Sequence, residues 1–108
     1  DKILAYVSHL PHSVAFSLID SVPEAFYRFS AGGLKDTTRI AASDSGLWAD
    51  IIMSNRRNVA RALSVFETKL KELRSAVSRG DVSALEKFLS RASSRRRMLE
   101  GACLSGSE

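Results

Sequence analysis

Apolar residues recur at helical spacing along most of this chain. Ile3, Leu4, Val7, Leu10, Val14, Leu18 and Ile19 return at intervals of three and four, which predicts a helix with one buried stripe. Pro11 stands inside that pattern. It lacks a backbone N–H and crowds the carbonyl four residues back, so a kink is expected near Val7–Pro11. The helix should stop near Asp20–Val22, ahead of Pro23. Pro23 to Phe29 reads as a short helix with proline at its first position, with Phe26 and Phe29 directed into the core. Gly32-Gly33 is expected to end it, and Leu34 to Ala42 to form a loop with a turn of helix.

Ser43 or Asp44 is a suitable N-cap for the next element. From there one helix is predicted to about Ser78. Trp48, Ile52, Val59, Leu63, Phe66, Leu70, Leu73 and Val77 mostly alternate steps of four and three, and Asn55 fills the missing step of a heptad seam. Such a helix is longer than a small monomer requires, so part of its stripe is expected to face a second subunit. Gly80-Asp81 breaks the helix, and Asp81 or Ser83 caps the next. Leu85, Phe88, Leu89, Ala92 and Leu99 mark that helix's buried face, and the short connection folds it back antiparallel as an αα-hairpin. The fold class is therefore all-α. Residues 1–100 are expected to form one helical domain and 101–108 a flexible tail.

Composition narrows this picture. The chain has 108 residues, 44% hydrophobic and 26% charged, which fits one folded domain rather than a disordered segment. No apolar run approaches the ~20 residues that cross a bilayer, and no signal-peptide pattern opens the chain. A start at Asp1 without methionine suggests a piece of a longer protein. Cys103, the sole cysteine, cannot form an internal disulfide and has no activating neighbours, which is compatible with a cytoplasmic location. Charge is uneven: residues 1–55 hold four Lys/Arg and six Asp/Glu, residues 56–100 twelve and five. The basic half is compatible with an anionic ligand or nucleic acid, and equally with a solvated helix surface. Arg95-Arg96-Arg97 lacks interleaved aromatics or a nucleic-acid motif.

The candidate chemistry lies in the first half. His9 and His12, three apart, fall on one helix face; no third ligand stands at a metal-site spacing. They suit a polar cleft, or buried hydrogen-bonding positions. Arg39 presents a planar fork that matches a carboxylate. Asp36 would either orient that fork in a site or pair with it structurally, and residue types leave both open. No strand precedes Gly32-Gly33, so no dinucleotide-binding fingerprint is present.

The order Ser8-His9-Leu10-Pro11-His12, Ala31-Gly32-Gly33, Asp36-Thr37-Thr38-Arg39-Ile40-Ala41, Ser43-Asp44 and Trp48-Ala49-Asp50-Ile51 resembles the C-terminal domain of the prephenate dehydrogenase family. Asn55 and the later hairpin fit as well, and the likeness covers most of residues 1–90. The resemblance implies a helical dimerisation domain, an intertwined homodimer, and the substrate-binding half of an NAD- or NADP-dependent enzyme. That enzyme oxidatively decarboxylates prephenate to 4-hydroxyphenylpyruvate in tyrosine biosynthesis, or acts on arogenate instead. A nucleotide-binding domain, absent from this chain, would bind the cofactor and carry the catalytic histidine, so no catalytic residue is assigned here and this chain alone is expected to be inactive. Residue by residue, Arg39 would bind a substrate carboxylate. His12 would line the pocket with Ser8, His9 and Thr38 beside it. Gly32 would allow close backbone approach, Asp36 would join the network around Arg39, and Trp48 would reach towards the other subunit's site. No metal, nucleic-acid or membrane partner is implied. A non-catalytic helical dimerisation module is the competing reading.

Overall fold

A computed structural model describes residues 1–102 and is helical throughout, with no strand among the described residues. Contacts gather into two compact units, residues 1–65 and the part from Phe66 onward.

The first unit opens with α1 (Lys2–Leu4), capped by the Asp1 carboxylate, which accepts from the Ile3 and Leu4 N–H groups. A π-helical turn (Ala5–His9) follows, then α2 (Leu10–Ser21). The interruption expected from Pro11 takes this form: the Leu10 N–H reaches the Ala5 carbonyl five residues back, and Pro11 sits in the first turn of α2, where its missing donor costs least. The wider turn rotates the face presented to the core. Ala5, His9 and Ala15 are buried, whereas Ile3, Leu4 and Val7 of the predicted stripe are exposed, Val7 by 67%.

Beyond Pro23 the expected short helix is a 3₁₀ helix, Glu24–Phe29, with Pro23 as its N-cap rather than its first residue. Phe26 and Phe29 are 58% and 71% exposed, so neither fills the core; the Arg28 guanidinium lies 4.7 Å over the Phe29 ring. Gly32 and Gly33 do not end this element. They open α3 (Gly32–Thr37), without positive φ, because small residues fit a first turn as readily as a last one. A 3₁₀ turn, Arg39–Ala41, completes a segment expected to be mostly loop.

Asp44 caps α4 (Ser45–Ser54), its carboxylate accepting from the Gly46 N–H at 3.1 Å. The predicted single helix from 44 to 78 is two. Asn55, at φ −129° and ψ 31°, separates α4 from α5 (Arg56–Ser78). Short amide side chains hydrogen-bond nearby groups in competition with regular helix, and Asn55 does so with Asp1, His9 and Asn58. Ala5, Val59 and Ala62 form the buried centre of this unit, with Tyr6, Leu10, Ile52 and Leu63 packed around them.

In the second unit α5 ends at Ser78 as predicted. Gly80 adopts φ +64°. The Asp81 N–H bonds to the Ala76 carbonyl at 3.0 Å and the Gly80 N–H to the Val77 carbonyl at 3.1 Å, the paired bonds of a Schellman ending. Asp81 then caps α6 (Val82–Ala102) through its carboxylate and the Ala84 N–H. Arg91 on α6 reaches Glu72 on α5 at 2.9 Å, as an antiparallel hairpin requires. Leu85 and Phe88 are half-buried, but Leu89, Ala92 and Leu99 of the predicted buried face are exposed. Leu70 and Val77 of the heptad seam are exposed too. Gly101 and Ala102 extend α6 rather than begin the tail; the remainder of the expected tail, with Cys103, lies outside the described residues.

Candidate functional site

The predicted site residues fall into three neighbourhoods of the first unit. The first is an aromatic and polar cluster where α2 meets α4. The His12 imidazole stacks on the Trp48 indole with centroids 3.6 Å apart and planes 16° from parallel. His9 meets the same indole edge to face, at 6.2 Å and 78°. One face of the π-to-α helix thus grips Trp48 with both histidines, as their spacing of three allows. The Ser8 carbonyl accepts from His12 Nδ1 at 3.1 Å, so Ser8 enters the cluster through its backbone. His9 is only 8% exposed, and its carbonyl accepts from Ser13 Oγ at 2.8 Å.

Asn55 completes this cluster, and its central place in the network is not apparent from residue types. Its Nδ2 donates to the Asp1 carbonyl at 2.7 Å and lies 3.2 Å from His9 Nδ1, while its Oδ1 accepts from Asn58 Nδ2 at 2.9 Å. The available signal was an amide placed where the heptad seam calls for an apolar side chain.

The second neighbourhood is a shallow, largely apolar groove lined by Ile19, Tyr27, Leu34, Thr38, Arg39 and Ala42. The 3₁₀ turn carrying Arg39 packs on α2. Thr38 Oγ1 donates to the Leu34 carbonyl at 2.7 Å and so closes α3 behind Arg39. The Arg39 side chain is exposed. Among the described residues every ion pair lies in the second unit, so its fork is uncommitted within the chain. No ion pair joins Asp36 to Arg39 among the described residues.

The third is Gly32 at the start of α3. A methyl group there would stand 3.5 Å from Asp36 Oδ2, ordinary contact, so no steric demand for glycine arises within the chain. The structure thus unites His9, His12, Ser8 and Trp48, joins Thr38 to Arg39, and leaves Gly32 with Asp36. Trp48 contacts the histidines of its own chain. Among the described residues no three His, Cys, Asp or Glu side chains gather as a metal site, and no helix is long and apolar enough to cross a membrane.

A two-unit helical chain with exposed apolar residues on α1, α5 and α6 has the character of an assembly domain. Residues 1–91 match the family described as prephenate dehydrogenase, dimerization domain, and the chain belongs to that family. It is 40% identical over 88 residues to cyclohexadienyl dehydrogenase of Zymomonas mobilis, covering 75% of this chain and 30% of that protein. It is 32% identical over 98 residues to prephenate dehydrogenase of Bacillus subtilis, covering 85% and 26%. A crystal structure of prephenate dehydrogenase from A. aeolicus, in complex with hydroxyphenyl propionate and NAD+, superposes with a TM-score of 0.81 at 38% identity, over 91% of this chain and 36% of that one. The arogenate dehydrogenase of Synechocystis shares the fold, with a TM-score of 0.83 at 21% identity over 91% and 38%. The chain spans about a third of the length of these proteins.

Proposed function

We propose that this chain is the dimerising, substrate-binding part of an NAD(P)-dependent prephenate dehydrogenase, with Arg39 as its anchor for a substrate carboxylate. The observation that supports this reading is the Arg39 guanidinium: exposed, without an ion pair among the described residues, and set with Lys35 on a largely apolar groove. A fork of donors beside apolar walls suits a ligand with a carboxylate at one end and a hydrophobic ring behind it. Hydroxyphenyl propionate, present in the A. aeolicus crystal structure, has that form.

His12, His9 and Trp48, a separate cluster of the same unit, are proposed to add ring nitrogens that meet polar groups of the ligand. Thr38 holds the backbone behind Arg39. The stripes on α1, α5 and α6 are the proposed contact with a second copy, in a homodimer whose helices interlock and in which Trp48 lies near the second site. Gly32 and Gly33 open a six-residue helix with no strand before it, so they do not form the strand–turn–helix cradle of a dinucleotide. In this reading the nicotinamide cofactor and the proton-accepting histidine belong to another part of the enzyme.

Calorimetric titration of hydroxyphenyl propionate into this chain tests the reading. Saturable binding by the wild-type chain, weakened at least tenfold in Arg39→Ala, supports it. Equal affinities remove Arg39 from the site. The exposed stripes by themselves favour the second reading, a non-catalytic dimerisation module, which predicts a dimer by sedimentation and no such binding. Steady-state rates with prephenate and arogenate, in the whole enzyme, separate the two substrates.

A further inference from the structure

The hydrogen bonds around Asn55 determine which nitrogen of His9 carries its proton. The amide's orientation follows from its partners: the Asp1 carbonyl, 2.7 Å away, only accepts, so the Asn55 atom facing it is the donor Nδ2. Oδ1 is then the atom that accepts from Asn58 Nδ2 at 2.9 Å and from the Asp1 terminal ammonium at 2.8 Å. One Nδ2 hydrogen goes to Asp1 and the other to His9 Nδ1, 3.2 Å away. His9 Nδ1 must accept, and its proton sits on Nε2.

His12 shows the reverse. Its Nδ1 faces the Ser8 carbonyl at 3.1 Å, an acceptor, so Nδ1 carries the hydrogen. The two imidazoles against Trp48 thus hold opposite tautomers. Among the described residues neither Nε2 has a hydrogen-bond partner. No buried side-chain nitrogen or oxygen among the described residues lacks a partner, so both Nε2 atoms reach solvent.

We propose that Asn55 is a positioning residue that locks His9 in its Nε2–H form and makes it a hydrogen-bond donor towards a ligand oxygen, a carboxylate or carbonyl. Flipping the amide would set its oxygen against the Asp1 carbonyl and its NH₂ against that of Asn58, so the lock is cooperative. What the donor meets rests on the reading of this face as part of a substrate site. The lock itself does not, and it is measured without ligand.

The chain has only two histidines, so long-range ¹H–¹⁵N spectra of labelled chain at about pH 8, where an ordinary imidazole is neutral, resolve both rings. His12→Phe assigns them. The expected wild-type spectrum shows a bare Nδ1 for His9 and a protonated Nδ1 for His12. In Asn55→Asp a carboxylate replaces the donor, and His9 is expected to move its proton to Nδ1 or to become imidazolium. Asn55→Ser should yield a mixture of tautomers. A wild-type His9 with Nδ1 protonated overturns the inference without any variant. A His9 that keeps Nε2–H in folded Asn55→Ser and Asn55→Asp overturns the role of Asn55.

Discussion

The His12 imidazole lies on the Trp48 indole at 3.6 Å, in planes 16° from parallel. This stack joins the π-interrupted first helix to α4. A stacked aromatic pair contributes about 1 kcal/mol beyond the area it buries. His12→Ala is expected to lower stability by about that much and to change the emission of Trp48, the chain's sole tryptophan. Urea titrations followed by fluorescence and by circular dichroism check both effects; unchanged emission would show that the stack does not persist in solution.

Val59 tests the core of the first unit. It is 2% exposed, between Ala5 and Ala62. Val59→Ala removes two methyl groups where alanine neighbours cannot fill the space, and should cost about 1.5–2.5 kcal/mol. The urea midpoint should fall with little change in slope.

Gly80 tests the hairpin turn. Its φ of +64° lies where a side chain strains the backbone, although a methyl group there would meet nothing within 4 Å. Gly80→Ala should therefore cost about 1 kcal/mol through conformation alone. A thermal melt that does not move would contradict the Schellman ending.

Acid should weaken the same hairpin. The Arg91 guanidinium, hydrogen-bonded to Glu72, holds that carboxyl below its ordinary range, and the Ala84 N–H does the same for Asp81. Groups depressed in the folded state stabilise it above their unfolded values, near pH 4, and lose that contribution as pH falls through the folded values. The melting temperature is expected to decline below about pH 4.5. The decline should be shallower in Glu72→Gln and smaller in high salt, since both groups are exposed.

Much of the fold was legible because local chemistry decides it. The Asp44 cap, the Ser78 ending, and the Gly80-Asp81 turn and cap stand where sequence placed them. The break at Asn55 was not legible, because its cause is a set of hydrogen bonds to Asp1 and His9, residues 54 and 46 positions away. On the first helix Leu10, Val14, Leu18 and Ile19 are half-buried as the stripe predicts, while Ile3, Leu4 and Val7, before and within the π-turn, are exposed. Phe26, Phe29, Leu89 and Leu99 were assigned to a core, although apolarity does not distinguish a chain's interior from a surface awaiting a second chain. At the site, spacing brought His9 and His12 together. It suggested a contact between Asp36 and Arg39 that the short turn at Thr38 does not make.

The account centres on Arg39 as the carboxylate anchor, and steady-state kinetics of Arg39→Ala in the whole enzyme test it most directly. Loss of a bidentate charge-assisted pair should cost about 2–4 kcal/mol, raising the prephenate KM roughly 30-fold or more. If the pair forms equally in ground and transition states, kcat should fall far less than kcat/KM. Nicotinamide affinity and melting temperature should stay close to wild type, because Arg39 is exposed and has no ion pair among the described residues, and Arg39→Lys should recover only part of the loss. An unchanged KM for prephenate in folded Arg39→Ala enzyme would contradict the account.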